Sequence, residues 1–79
     1  MDLIGATIKI LSHSDPSLIG RQGIVILETQ KTFLIKERNK TIRVLKQNGI
    51  FQINFKSKSL IIPGSQLVGK LEKRWWLNG

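Results

Sequence analysis

The sequence predicts an all-β domain, built as a small antiparallel barrel of six short strands. Short segments in which apolar and polar residues alternate recur at close spacing, and turn-forming residues separate them. No stretch shows a helical period of any length. Because 79 residues support one core at most, we expect a single domain over residues 1–79, with a core at about 3–72 and a basic, aromatic tail at 73–79.

The first strand is predicted at residues 6–11, where Ile8 and Ile10 share one face of a period-two alternation. Residues 12–20 (SHSDPSLIG) follow as a loop, because turn-forming residues dominate them and Pro16 fixes its own φ. We expect one helical turn within this loop.

The second strand is predicted at residues 23–29, which contain four consecutive aliphatic residues, IVIL. A short β-branched run between glycines and a polar turn favours a central strand that is buried on both faces. Gly20 and Gly23 flank Arg21, but the GK[ST] continuation of a phosphate-binding P-loop is missing. We therefore interpret these glycines as turn and bulge positions.

Four further strands complete the pattern. Asn48-Gly49 is a typical positive-φ turn pair, and the strand after it places Phe51, Ile53 and Phe55 on one inward face. A Pro-Gly pair ends the last strand, because proline cannot donate to a ladder. The predicted strands are residues 33–37, 41–46, 50–56 and 60–62.

Six short strands at regular spacing are typical of an antiparallel barrel of the Sm-like or SH3-like kind, closed or nearly closed. Closure would leave no unpaired strand edge. We expect short irregular segments at both chain ends.

The charge balance points to a polyanionic partner. The chain has 13 Lys and Arg against 5 Asp and Glu, a formal net charge of +8. Nucleic acid fits this excess better than a membrane surface, since the sequence has no basic amphipathic helix. Six cations fall within sixteen positions of two predicted hairpins, and Glu37 is the one acidic residue among them. This concentration favours a continuous positive surface. The six are Lys31, Lys36, Arg38, Lys40, Arg43 and Lys46.

Most kinds of catalytic chemistry lack their residues in this sequence. There is no cysteine, one histidine, and only five scattered carboxylates, so we expect neither a metal centre nor thiol catalysis. His13 lies between Ser12 and Ser14, and a polar turn touching solvent or RNA backbone is a simpler interpretation than a nucleophile. Without cysteine, and without an apolar run near the roughly 20 residues of a membrane span, we expect a cytoplasmic protein with no membrane contact.

Several motifs, taken in order, resemble archaeal ribonuclease P protein component 1, whose eukaryotic counterpart is the Sm-like subunit of ribonuclease P and MRP. The resemblance spans nearly the whole chain, and its specificity lies in the order of the motifs. They are LIG at residues 3–5, SDPSLIG at 14–20, GIV at 23–25 with Glu28, Thr29 and Thr32, and GSQLVGK at 64–70 with Arg74.

This resemblance implies an Sm-like barrel in the ribonucleoprotein that removes 5′ leaders from precursor tRNA. In that family the RNA subunit performs the metal-dependent cleavage, so any Mg²⁺ would belong to the RNA and this chain would bind no cofactor. The implied partners are ribonuclease P RNA and a zinc-ribbon protein subunit in a heterodimer, with precursor tRNA contacted indirectly.

The resemblance and the charge pattern together nominate candidate sites. We expect Glu28 at the surface beside the RNA-binding residues, and the family glycines at positive φ. The expected RNA-binding residues are Ser12, His13, Ser14, Arg21, Thr29, Lys31, Thr32, Lys36, Arg43, Lys70 and Arg74.

Two features depart from the family pattern. Many members carry helical segments before the LIG motif and after the final arginine, whereas two residues precede Leu3 here. The chain is therefore either a naturally short member or a trimmed one. The second departure is Trp75-Trp76, which could stack on bases, plug one barrel end or face a protein partner.

Two other functions are compatible with the composition. One is a chromatin-type SH3-like barrel that binds DNA without sequence preference, because charge and strand pattern cannot separate the two nucleic acids. The other is a scaffold for protein assembly, which would show little salt-sensitive binding to either.

Overall fold

A computed structural model describes residues 3–68 of the chain. Within this range it contains no helix long and apolar enough to cross a membrane. The elements are β1 (Thr7–His13), a 3₁₀ turn η1 (Pro16–Leu18), β2 (Gln22–Glu28), β3 (Thr32–Lys36), β4 (Thr41–Leu45), β5 (Gly49–Phe55), β6 (Lys58–Pro63) and a second 3₁₀ turn η2 (Gly64–Gln66).

The six strands form one antiparallel sheet in the order β4-β3-β2-β1-β5-β6. This confirms the predicted all-β class and strand number. The register shifts between Ile10 and Ser12 where β1 pairs with β5, and between Val25 and Leu27 where β2 pairs with β3. Such bulges bend and twist strands, so the fold is barrel-like. β4 and β6 are the edge strands and form no ladder with each other, so of the two predicted alternatives, closed or nearly closed, the sheet is not fully closed.

The largest boundary differences lie at the end of β1 and around the β5–β6 turn, where β6 covers Lys58–Pro63 rather than 60–62; the other strand ends differ from the prediction by at most one residue. β1 continues to His13, so Ser12 and His13 lie in a strand rather than in the predicted loop. The β5–β6 turn is Lys56-Ser57, one residue earlier than expected, and both residues have positive φ (48° and 69°). Positive φ at both central positions is the geometry of a two-residue hairpin turn whose twist matches the strands.

Inward residues of the strands form one hydrophobic core. At its centre, the rings of Phe33 and Phe51 meet edge-to-face with centroids 5.8 Å apart, an arrangement that aromatic pairs favour. Phe51 and Ile53 lie inward as predicted. The core residues are Leu3, Ala6, Ile8, Ile10, Leu18, Val25, Phe33, Ile35, Val44, Phe51, Ile53, Ile62 and Leu67.

β2 occupies an interior position of the sheet, but it is not buried on both faces as predicted. Val25 is buried, whereas Ile24, Ile26 and Leu27 are 52%, 40% and 49% exposed. An antiparallel sheet commonly covers its core with one face only, and the bulge after Val25 leaves two consecutive residues outside. β2 therefore gives the protein an aliphatic outer surface.

Two glycine predictions also change. Gly20 has a positive φ of 86°, as expected of a turn. Gly23 pairs with Ile8 in a regular ladder rather than forming a bulge, and a Cβ there would lie 2.5 Å from Ile35 Cγ2. A Cβ at Gly64 would overlap the carbonyl oxygen of Lys46. Close approach of neighbouring atoms, not backbone conformation, therefore requires glycine at these two positions.

Candidate nucleic-acid interface

An open groove of about 600 Å³ lies between the chain that enters β2 and the β3–β4 turn. Gly20 starts the first wall because its positive φ turns the chain after η1. The second wall is a polar turn in which Glu37 N donates to Lys40 O at 2.9 Å. The lining residues are Gly20, Arg21 and Gln22 on one wall, and Glu37, Arg38, Asn39 and Lys40 on the other.

An ion pair joins the two walls. Arg21 Nε donates to Glu37 Oε2 at 3.1 Å, and Arg21 Nη2 donates to Glu37 Oε1 at 2.5 Å. These hydrogen bonds lower the pKa of Glu37 and raise that of Arg21. Both groups are therefore charged at neutral pH, and the arginine is held in a fork geometry.

A second depression continues this groove along the outer face of the sheet. It is also lined by Gln22, Glu37 and Arg38, and it adds Lys36. Ile24 lies opposite Lys36 in the β2–β3 ladder. The lining of this depression is therefore partly apolar and partly cationic. Its remaining lining residues are Thr7, Gly23 and Ile24.

The carboxylates between residues 3 and 68 all have internal partners. Asp15 Oδ1 accepts from Ser17 Oγ at 2.7 Å and from Ser17 N at 3.1 Å, which lowers the pKa of Asp15. Glu37 binds Arg21 and Glu28 binds Lys46. These acids are thus not available to neutralise the exposed cations, which are Lys9, Lys31, Lys36, Arg38, Lys40, Arg43 and Lys56.

Two predicted surface residues are instead buried. The side chains of Lys46 and Glu28 are both 0% exposed, and Lys46 Nζ lies 2.6 Å from Glu28 Oε2. The prediction that Lys46 contributes to a positive surface and that Glu28 lies at the surface is therefore wrong. The sequence did carry the signal, because Ile42, Val44 and Lys46 follow the inward period of β4.

The predicted polar turn residues at the end of β1 make structural contacts. His13 Nε2 lies 3.0 Å from Leu45 O, while His13 Nδ1 accepts from Asp15 N at 3.0 Å. This pattern fits the tautomer that carries its hydrogen on Nε2. Ser14 N donates to Asn48 O at 3.1 Å. His13 thus ties the end of β1 to the end of β4, and Ser12 and Ser14 lie beside it with exposed side chains.

The β2–β3 turn holds three further predicted residues. Thr29 Oγ1 lies 2.6 Å from Thr32 Oγ1 and accepts from Thr32 N at 3.0 Å. Lys31 is exposed, and its carbonyl accepts from Lys46 N at 2.8 Å. Local hydrogen bonds therefore fix the turn while the Lys31 ammonium faces solvent.

The predicted site residues thus separate into groups. Arg21 lines the groove and Lys36 lines the depression that continues it, whereas Arg43 lies opposite Leu34 in the β3–β4 ladder. Sequence reasoning missed Gln22 and Asn39 as groove residues, because nothing local predicts that two turns will face each other. The remaining predictions, Lys70 and Arg74 with Trp75-Trp76, lie outside the described residues.

Fold and surface together define a small Sm-like β-barrel whose exposed cations are not neutralised by its own acids, a class of protein suited to polyanions. The family model described as Ribonuclease P/MRP, subunit p29 matches residues 1–76. The chain therefore belongs to the ribonuclease P/MRP p29 family.

Individual relatives agree with this membership. The chain is 64% identical to Ribonuclease P protein component 1 of Sulfurisphaera tokodaii over 75 residues, covering 95% of this chain and 97% of that protein. It is 57% identical to the protein of the same name from Saccharolobus solfataricus over 76 residues, covering 94% and 96%. A solved structure of Mth11, described as a homologue of human RNase P protein Rpp29, matches with a TM-score of 0.68 at 28% identity, covering 94% of this chain and 97% of that one.

Proposed function

We propose that this protein is an RNA-binding subunit of ribonuclease P, which supports the fold of the catalytic RNA and substrate recognition during removal of 5′ leaders from precursor tRNA. Family membership supports the assignment to ribonuclease P. The observation that carries RNA binding is the commitment of Asp15, Glu28 and Glu37 to internal partners. The exposed lysines and arginines are therefore left to bind phosphates.

Binding is electrostatic in this proposal. Exposed cations neutralise RNA phosphates and release condensed counterions, so affinity falls steeply with salt. Backbone contacts position a protein without reading sequence, and structured RNA is recognised largely through its shape and its non-helical features. The polar turns that contain Ser14 and Thr29 would contact sugars and unpaired nucleotides.

The chemical step belongs to the RNA in this proposal. The protein would supply positive charge and shape complementarity, and any Mg²⁺ that the reaction needs would belong to the RNA subunit. Precursor tRNA is then met indirectly, through the RNA that the protein supports. The expectations of a protein without its own cofactor and of a cytoplasmic location remain part of the proposal.

The zinc-ribbon subunit is proposed to cover the end of the aliphatic outer surface of β2 that Ile26 and Leu27 form. Leu27 lies opposite Leu34 in the β2–β3 ladder, and Ile26 adjoins it. Contiguous exposed aliphatic residues often mark protein interfaces. Leu27→Lys should abolish association with the zinc-ribbon subunit while the fold persists. The matched control is Ile61→Lys on β6, where the native side chain is 67% exposed; equal loss from both variants would argue against this face.

Reconstitution tests the function directly. Ribonuclease P RNA is incubated with 5′-labelled precursor tRNA at a Mg²⁺ concentration too low for the RNA alone, with and without this chain and the other protein subunits. The proposal predicts that omitting this chain lowers the rate of leader removal and that adding it back restores the rate. Equal rates with and without the chain would contradict the proposal.

A further inference from the structure

The groove between the β2 entry and the β3–β4 turn is a strongly cationic concavity. It and the depression that continues it are lined by Arg21, Lys36, Arg38 and Lys40, against the single carboxylate of Glu37. A concave surface lined by one sign of charge concentrates the local field and attracts counter-ions more strongly than scattered charges do.

Glu37 offsets only part of this charge, because one carboxylate faces four cations; it binds Arg21 through both oxygens and also attracts Lys40 electrostatically. Its hydrogen bonds fix the orientation of the arginine. A guanidinium has five N–H donors in a rigid fork, and Glu37 accepts from Nε and Nη2. The remaining N–H groups, including both on Nη1, have no partner among the described residues. Arg21 therefore retains a preorganised set of donors of the kind that binds phosphate oxygens bidentately.

The floor beside this cation cluster is apolar. Ile24 is 52% exposed and lies between Thr7 and Lys36 in the two flanking ladders. A nucleobase or a ribose can pack against such a surface when it is not stacked inside a helix. In a regular A-form duplex the bases stay stacked, and single-stranded loops and bulges are where they become accessible.

From this juxtaposition we infer that the groove binds a backbone phosphate of an unpaired RNA segment, with Arg21 held by Glu37 as the main donor and the adjacent base or sugar against Ile24. Arg38 and Lys40 add charge on the opposite wall. The inference rests on the proposed function, since it specifies which part of the protein surface contacts the RNA and that this RNA is unpaired.

Site-directed hydroxyl-radical cleavage tests where the RNA lies. Because the chain has no cysteine, Asn39→Cys introduces one attachment point for an iron chelate on the groove wall. Ser59→Cys is the matched control, since Ser59 lies exposed on β6 and lines neither the groove nor the depression that continues it. The expected result is cleavage of unpaired nucleotides of ribonuclease P RNA from position 39 and none from position 59.

The outcomes separate this inference from the proposed function. Cleavage from other surface positions such as Lys31→Cys, with none from position 39, would contradict binding of RNA in the groove. It would leave the proposal that the protein binds RNA intact. Cleavage from position 39 confined to duplex regions would overturn the preference for unpaired RNA. No cleavage from any position, together with no RNA binding in a gel-shift assay, would overturn the proposed function itself.

Affinity measurements test the role of Arg21. Arg21→Lys keeps the charge but removes the fork, and it should weaken RNA binding about tenfold, the loss expected for charge-assisted hydrogen bonds that are no longer made. Asn54→Ala changes an exposed, uncharged residue of β5 that lines neither the groove nor its continuation, and it serves as the control, for which we expect less than about twofold. Wild-type affinity in Arg21→Lys, or equal losses in the two variants, would overturn the role of Arg21.

Discussion

The ammonium of Lys46 lies 2.6 Å from the carboxylate of Glu28, and neither side chain is exposed to solvent. Lys46 Nζ also donates to Thr29 O at 2.7 Å and to Leu67 O at 3.0 Å. Glu28 Oε1 accepts from Leu3 N at 2.9 Å. The pair therefore joins the ends of β2 and β4 to Leu3, which precedes β1, and to Leu67, which follows η2.

Removing one member of this pair should strongly destabilise the fold. Lys46→Met leaves the Glu28 carboxylate buried without its counter-charge, and such losses typically cost about 3–5 kcal/mol. Urea denaturation measures the change in the free energy of unfolding. Lys31→Met, at an exposed position of the neighbouring turn, should change it by less than about 0.5 kcal/mol. Equal stabilities of Lys46→Met and wild type would contradict the role of the pair.

Replacing both members with apolar residues should not restore stability. Buried ion pairs elsewhere can often be exchanged for hydrophobic residues at little cost. Here the double variant Glu28→Leu with Lys46→Met removes the hydrogen bonds that the pair makes with Leu3 N, Thr29 O and Leu67 O, and each hydrogen bond lost at a buried group costs about 1–3 kcal/mol. A double variant as stable as wild type in the same denaturation assay would show that these hydrogen bonds contribute little.

Gly64→Ala should destabilise the protein by about 1–3 kcal/mol, the usual cost of overfilling a close-packed site. Its Cβ would overlap Lys46 O and lie 2.7 Å from Phe51 Cε2. The backbone of Lys46 is held by its hydrogen bond to Lys31 O and cannot readily give way. Thermal unfolding compares this variant with Ser65→Ala, an exposed neighbour expected to be neutral. An unchanged melting temperature for Gly64→Ala would contradict the close approach.

The ion pair in the groove predicts a specific pH dependence. Arg21 lowers the pKa of Glu37 in the folded protein relative to its ordinary value of 4.5. The resulting stability is present above about pH 4.5 and is lost as the pH falls through the lowered folded value. The melting-temperature difference between wild type and Glu37→Gln should therefore be constant near neutral pH and shrink in acid. Asn39→Ala removes no titrating group, so its melting-temperature difference from wild type should not vary with pH. If the difference for Glu37→Gln were equally independent of pH, the stabilising role of the Arg21–Glu37 ion pair would be contradicted.

Glu37→Gln also separates positioning from net charge in RNA binding. If charge alone decided affinity, removing a carboxylate from a cationic groove would tighten binding. Because Glu37 orients Arg21, we expect several-fold weaker binding instead, measured by filter binding at fixed ionic strength. Tighter binding by Glu37→Gln would show that the carboxylate only repels the RNA.

Much of the fold followed from the sequence because strand formation is a local property. Alternation placed Ile8 and Ile10 inward on β1, and Phe51 and Ile53 inward on β5, as the structure confirms. The family could also be recognised, because the order of short motifs from LIG to GSQLVGK survives in the primary sequence.

The errors arose where distant segments meet. The exposure of Ile24 depends on which face of β2 the other strands leave uncovered, and an aliphatic run does not encode that choice. The charge pattern predicts Lys46 at the surface and the family resemblance predicts Glu28 there, although the strand period places Lys46 inward. The groove was not predicted because it requires the β2 entry and the β3–β4 turn to face each other across the curved sheet.

The most direct test of the account is a nuclease footprint of ribonuclease P RNA with and without the protein, repeated with excess duplex DNA at moderate salt. The account predicts a discrete protected region that persists in the presence of DNA. Diffuse protection that duplex DNA abolishes would contradict it, because that is the behaviour of a basic barrel that binds either nucleic acid through charge alone.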